Sequence, residues 1–328
     1  MRRWTWLGAL VVLGLAVGAG ASSAAEQYTL RIGHVLDAEH PQHLGALKFA
    51  QAAAEKSGGR IKINIFPNSQ LGGDRELIQD TQSGVIQGVV PATSKLVNFV
   101  PEFAALDLPY LVKTPAEAFR LLDGPVVRLE MDEKAAKAGF RVLHHWEVTF
   151  RHIYTSRKQI RSLDDVKGLK IRVIPSPSFI ALFRALGASP TPMNFGELYT
   201  ALQQGVVDGA ENDPVTYHTT KHFEVAKNLA LTNHIMLVVS MVLSEKAWRS
   251  YPPDIQKILM EASLEGRKAL LESRAAPEGK AMGALRAAGV QVTEPDLGPF
   301  VEAARKTYPE FEAKLGKDLI RKVTEGLR

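Results

Sequence analysis

Apolar and polar positions along the chain change period several times, and each change predicts an element. Tyr28, Leu30 and Ile32 alternate with polar neighbours, which predicts a first strand. Helical spacing follows over about 41–56 and stops at Gly58-Gly59, and Ile61, Ile63 and Ile65 alternate as a second strand. Asp74 stands where it can cap a helix running to about 82, and 85–90 reads as a buried strand. Thr114-Pro115-Ala116-Glu117 is a capping box with proline at the first helical position. Two separate strands are predicted at 140–146 and 150–156. Ser162 caps a short turn of helix, 169–173 is a strand, and 178–186 a helix ending at Gly187.

The stretch from Gly187 to Asn212 is the most structured piece of pattern. Asn194 takes the N-cap position with Glu197 three residues on, and Phe195, Leu198, Tyr199 and Leu202 form one apolar helical stripe. Gly205 supplies a stop, and the chain turns into Ala210-Glu211-Asn212. Further on, 236–243 is an apolar strand, 253–288 a long helix kinked or broken at Pro277, and 289–292 a last short strand. Strand–helix alternation of this kind predicts parallel sheets covered by helices, hence an α/β fold, here in two lobes.

Composition adds an address. Arg2 and Arg3, an apolar run over 7–17 and the small residues Ser23-Ala24-Ala25 read as a secretory signal peptide over 1–25, cut before Glu26. The chain has 328 residues and no cysteine, which excludes disulfides and a lipid-anchored lipoprotein; the expected site of action is a Gram-negative periplasm. The net charge of +5 falls to +3 without the leader, 38 basic against 35 acidic residues. Charges of both signs are interleaved and no basic stripe carries aromatics, so nucleic acid is not an expected partner.

Candidate chemistry is sparse. No G-x-S-x-G elbow or Walker A loop occurs, so neither a catalytic residue nor a cofactor is expected. The pairs His218/His222 and His40/His43 have metal-ligand spacing but lack an HExxH context, and are expected to be solvated helix histidines rather than a metal site. Arg172 stands out. It lies opposite Ile171 and Val173 near the carboxyl end of its strand, where ligands of open α/β sheets bind. A buried guanidinium needs an anion. Spacing alone leaves that anion open: a ligand carboxylate, matched by the planar fork, or an internal Asp or Glu.

The Gly187–Asn212 stretch closely resembles the solute-binding proteins of TRAP transporters, the DctP-type family. So do Gly33-His34, the segment Phe66-Pro67-Asn68-Ser69-Gln70-Leu71-Gly72, Leu108-Pro109-Tyr110, and Asp165 to Val173, in order along the whole chain after the leader. The resemblance implies a type II periplasmic-binding-protein-like architecture: two lobes, a central cleft and a long helix spanning both. Lobe I would take 26–148 and 238–276, and lobe II 149–237 and 277–328. It implies that Arg172 clamps a carboxylate, with Arg151 and Asn212 near the same group and Phe195 along the ligand. His34, Asp74, Glu147 and Trp146 are further expected cleft residues, and Thr93, Ser94 and Lys95 weaker ones.

Three departures bear on the cargo. Val148-Thr149 replaces an acidic–Asn or Asn–Gly pair, Asp213-Pro214 follows Asn212 in place of small or apolar residues, and Ala92 stands where sialic-acid binders carry Glu. The function implied is a monomeric periplasmic receptor that delivers an organic acid, of sugar-acid or C4-dicarboxylate type, to TRAP-type permease subunits by cleft closure. A receptor for an ATP-driven importer and a periplasmic enzyme acting on a carboxylate are the alternatives.

Overall fold

The computed structural model describes residues 26–327. The expected leader, 1–25, lies outside them. One nine-stranded sheet runs through the molecule. Its strands are β1 Tyr28–Gly33, β2 Ile61–Phe66, β3 Gly88–Val89, β4 Phe140–Thr155, β5 Lys170–Val173, β6 Ser189–Pro192, β7 Gly209–Asn212, β8 Asn228–Ser244 and β9 Gln291–Thr293. They are ordered β2-β1-β3-β8-β4-β7-β5-β6, with β9 paired to β8.

The two long strands organise everything else. β4 and β8 run antiparallel over nearly their whole length, from Phe140 opposite Ser244 to Thr155 opposite Asn228. At one end β3 adds to β8 at Val242 and Leu243, and carries the parallel pair β1 and β2. At the other end β7 adds to β4 at 152–155 and carries β5 and β6, while β9 pairs with the start of β8. Helices cover both faces, giving two α/β lobes joined through β4 and β8.

Sequence and structure differ here. The two strands predicted at 140–146 and 150–156 are one strand, and β8 begins eight residues before the predicted 236. Val85–Gln87 is not strand, because β3 is only two residues long. Gly73, not Asp74, is the N-cap of the Asp74–Ser83 helix. Asn194 makes no side-chain capping bond. Its amide meets Glu197 at 3.3 Å, and a 3-10 turn over Phe195–Glu197 leads into the Leu198–Gln203 helix.

The Pro253–Ala287 helix is continuous through Pro277. It packs along the Pro41–Lys56 helix, β4 and the Pro214–Thr219 helix. Close approach is made possible by two glycines: a Cβ on Gly266 would sit 2.8 Å from Trp146 Cζ2 and 2.9 Å from the Gly45 carbonyl oxygen. The buried positions of this helix recur every three or four residues, from Ile255 and Leu259 through Gly266 and Leu270 to Arg274. That stripe faces inward, and among its apolar members, which resume at Ala281 and Leu285, it carries one charge, Arg274.

Candidate functional site

Side chains on a strand alternate between faces, and β4 uses this to build the floor of a cavity. Glu147, Thr149 and Arg151 all line it, about 13 Å from first to last at strand rise. β5 contributes Arg172, β7 ends in Asn212, and Asp213 follows at the N-cap of the Pro214–Thr219 helix. Asp74, Lys95, His40, Gln42, Phe195 and Thr216 complete the polar and aromatic lining, with Val90, Ala92, Ile174, Leu237 and Val239 between them. In this arrangement the cavity's free volume is about 50 Å³.

The charges are arranged unequally. Arg151 is consumed by the protein. Its Nε and Nη2 donate to the Glu211 carboxylate, Nη2 also to the Glu211 carbonyl at 2.6 Å, and Nη1 to Asn212 Oδ1 at 2.7 Å. Burial opposes the charge on Arg151, but Glu211 outweighs it and the guanidinium is held more firmly protonated. Burial likewise opposes the Glu211 charge, and Arg151 overrides it and holds that carboxyl below its ordinary value. Lys95 Nζ lies 2.6 Å from Asp74 Oδ2.

Arg172 has no such partner. It is 1% exposed, and among the described residues no carboxylate lies within ion-pair distance of it. Nε and Nη2 both donate to the Met193 carbonyl, at 3.0 and 2.7 Å, and the guanidinium carbon sits 5.7 Å from the centre of the Phe195 ring. A single neutral acceptor does not offset the loss of water around a full charge. Burial accordingly lowers the Arg172 pKa from its ordinary value.

At the other end of the floor the imbalance is reversed. Arg274, from the long helix, donates from Nη1 to Glu147 Oε1 at 2.6 Å and from Nη2 to Asp213 Oδ1 at 2.5 Å. Asp213 also accepts from the Val215 and Thr216 amides, both at 3.1 Å, and from Thr216 Oγ1 at 2.6 Å. Burial works against the Asp213 charge, yet Arg274 and these donors together hold its carboxyl well below the usual range. Glu147 receives only Arg274, and burial pushes its carboxyl up. Beside them His40 accepts the Gln42 amide at Nδ1 and so carries its proton on Nε2, 3.2 Å from Thr216 Oγ1.

Six of the eight residues expected at the cleft therefore line one cavity: Arg172, Arg151, Asn212, Phe195, Asp74 and Glu147. Trp146 does not. It is the extra residue of a β-bulge between His145 and Glu147, and it packs beneath the long helix, edge-on to Phe49 and donating to Ser263 Oγ at 2.9 Å. His34 does not either. Its Nε2 faces His43 Nδ1 at 3.0 Å, and it is not part of the lining.

The histidine pairs are not solvated as expected. His40, His43 and His222 are buried, and His222 Nδ1 meets the Tyr154 hydroxyl at 2.9 Å. Arg274, Glu211 and Thr149 were not singled out by the sequence. For Arg274 a signal existed, since it falls on the inward stripe of an otherwise ordinary charged helix.

Three comparisons bear on this geometry. Residues 32–315 match the family described as DctP, bacterial extracellular solute-binding protein, family 7. The chain is 31% identical over 314 residues to the sialic acid-binding periplasmic protein SiaP of Vibrio cholerae serotype O1, covering 96% of this chain and 97% of that one. It is 30% identical over 320 residues to the C4-dicarboxylate-binding periplasmic protein DctP of Rhodobacter capsulatus, covering 96% of each. Among solved structures, the sugar acid binding protein DctPAm from Advenella mimigardefordensis in complex with galactonate superposes with a TM-score of 0.87 at 30% identity. That match covers 92% of this chain and 98% of that one.

Proposed function

This chain belongs to the DctP family, family 7 of the bacterial extracellular solute-binding proteins, and from that membership we propose that it is a periplasmic receptor that captures a small organic acid between its lobes and hands it to a TRAP-type permease. The observation that carries the reading is Arg172: a buried guanidinium at the cavity wall whose charge no protein carboxylate answers. A cargo carboxylate supplies the missing anion, in two parallel charge-assisted bonds.

The surrounding residues take defined parts. Arg172 clamps the carboxylate. Asn212 offers its amide group, the oxygen being used by Arg151 and the Asp213 amide. Phe195 covers the carbon skeleton, and Asp74, Lys95 and Glu147 meet polar groups along it. Arg151 acts through its neighbours, positioning Glu211 and Asn212. Closure follows from contacts made only when the lobes meet, which a bound ligand adds to. His40 to Thr216 and Asn98 to the Pro175 carbonyl, both 3.2 Å, are such contacts. We place the lobe boundaries at 148/149 and 237/238, where β4 and β8 pair Val148 with Val238 and Thr149 with Leu237; of the expected 277–328 portion of the second lobe, the helices Tyr308–Leu315 and Lys317–Glu325 instead pack on the first, with Phe311, Ile320 and Val323 in one core with Phe103 and Leu121.

The relatives reported above are named as binding proteins, and a receptor returns its ligand unchanged. The test is a thermal-shift screen of the purified protein over hydroxy acids, sugar acids and dicarboxylates, followed by mass analysis of the recovered ligand. One or more acids should raise the melting temperature and be recovered intact. No stabilisation by any acid, or chemical conversion of the acid, would sink the reading.

A further inference from the structure

Resting on the receptor reading above, we propose that Glu147 sets the far end of the cargo: it accepts a cargo hydroxyl and excludes a second carboxylate, so that the protein takes hydroxylated monocarboxylates and rejects diacids of the same length.

The cavity has two ends of opposite character. At one, Arg172 is a cation without an acid. At the other, one guanidinium, Arg274, faces two buried carboxylates, Glu147 and Asp213, with the exposed Glu278 at 3.9 Å, and leaves a buried acid in surplus. Asp213 is saturated by four donors. Glu147 is not: Oε1 takes Arg274, while Oε2 has no protein partner among the described residues, and the side chain lines the cavity. Between the ends Thr149 Oγ1 is buried, lines the same cavity and has no hydrogen-bond partner. Burying a hydroxyl this way is costly unless something answers it.

A chain of hydroxyls answers all three groups. One hydroxyl donates to Glu147 Oε2, another exchanges with Thr149, and the carboxylate lies on Arg172. A diacid cannot do this. Its second carboxylate needs a second cation, and the two others in the lining, Arg151 and Lys95, are already paired to Glu211 and Asp74. It would meet Glu147, a like charge away from water, and binding would require a proton to be taken up.

The experiment compares matched acids that differ only in the far terminus. The pairs are threonate with tartrate, xylonate with xylarate, gluconate with glucarate, and galactonate with galactarate, titrated calorimetrically at pH 7.5. For the pair whose length fits, the monoacid is expected to bind at least about 100-fold more tightly, a difference of about 2.7 kcal/mol. Glu147→Gln should weaken the monoacid about tenfold and shrink the gap below tenfold, because an amide can donate to a carboxylate. Glu147→Asp keeps the charge and should preserve the gap even where overall affinity falls, which separates cargo choice from damage to the Arg274 pair. Equal binding of both members by the wild type, or a gap unmoved in Glu147→Gln, overturns the proposal. No binding of any acid overturns the receptor reading first and this one with it.

Discussion

Replacing Arg172 by methionine separates its two conceivable roles, because they predict opposite outcomes in the empty protein. Methionine keeps most of the volume and removes the charge. In the ligand-free state the change deletes two bonds to one carbonyl, worth about 0.5–1.5 kcal/mol each, together with a desolvation penalty of comparable or larger size. The melting temperature of the empty protein is therefore expected to hold or rise. Binding is different. Removing one partner of a buried charge pair costs about 3–5 kcal/mol, roughly a 100- to several-thousand-fold loss of affinity.

At a ligand concentration 100 times the wild-type dissociation constant, wild type gains about 2.7 kcal/mol. With an unfolding entropy of about 2.1 cal/mol/K per residue over about 300 residues, that is about 4 °C. The variant should gain less than about 0.7 °C. Differential scanning fluorimetry with and without the acid reads both numbers. If the variant gains as much as wild type, or if the empty variant melts several degrees lower, Arg172 is a structural group and the reasoning fails.

Arg151→Met should do the reverse. It strands the buried Glu211 carboxylate and should cost about 3–5 kcal/mol in the empty protein, read as a fall in the urea midpoint; an unchanged midpoint would show that the pair is dispensable. Acid should destabilise the fold before carboxylates titrate. Burial lowers His34 to about 3, His40 to about 4 and His222 to about 3, so below about pH 6.5 the unfolded chain binds protons that the folded one refuses. Each contributes stability that is complete above pH 6.5 and is lost toward the folded value, at up to about 1.4 kcal/mol per pH unit. A melting temperature that is flat between pH 7 and 5 would contradict this, and His222→Gln should make the profile shallower. Gly266→Val should force the two long helices apart against Trp146 and Gly45, at about 1–3 kcal/mol or more, seen as a lower midpoint with unchanged ligand preference.

The sequence was most legible where local chemistry and tertiary packing agree. The 41–56 helix has proline at its start, a glycine pair after it and a periodic apolar face, and its predicted bounds match Pro41–Lys56. β4 was misread as two strands because the polar Glu147 and Thr149 interrupt its apolar run. The interruption is the cavity floor, where polar residues face the ligand space rather than the core. The predicted start of β8 fell late because Thr232, Asn233 and His234 break its apolar run; Thr232 and His234 are buried polar residues. The bulge between His145 and Glu147, which no local pattern announces, is what tucks Trp146 under the long helix and leaves Glu147 at the cavity. Arg274 was hidden by its helix, whose Glu, Lys and Arg content resembles any solvated surface; only its place in the three-to-four spacing of inward residues distinguishes it.

The shared β4–β8 ladder has a consequence for the molecule as a folding unit. Neither half of the protein owns a complete set of strands, because the central two belong to both. If one half came apart while the other stayed folded, it would leave two long ribbons hanging with bare amide and carbonyl edges, the kind of surface that recruits stray chains. Partial disassembly is thus penalised in both directions. The halves can rock about their shared ribbons, but neither can melt alone without stripping the other.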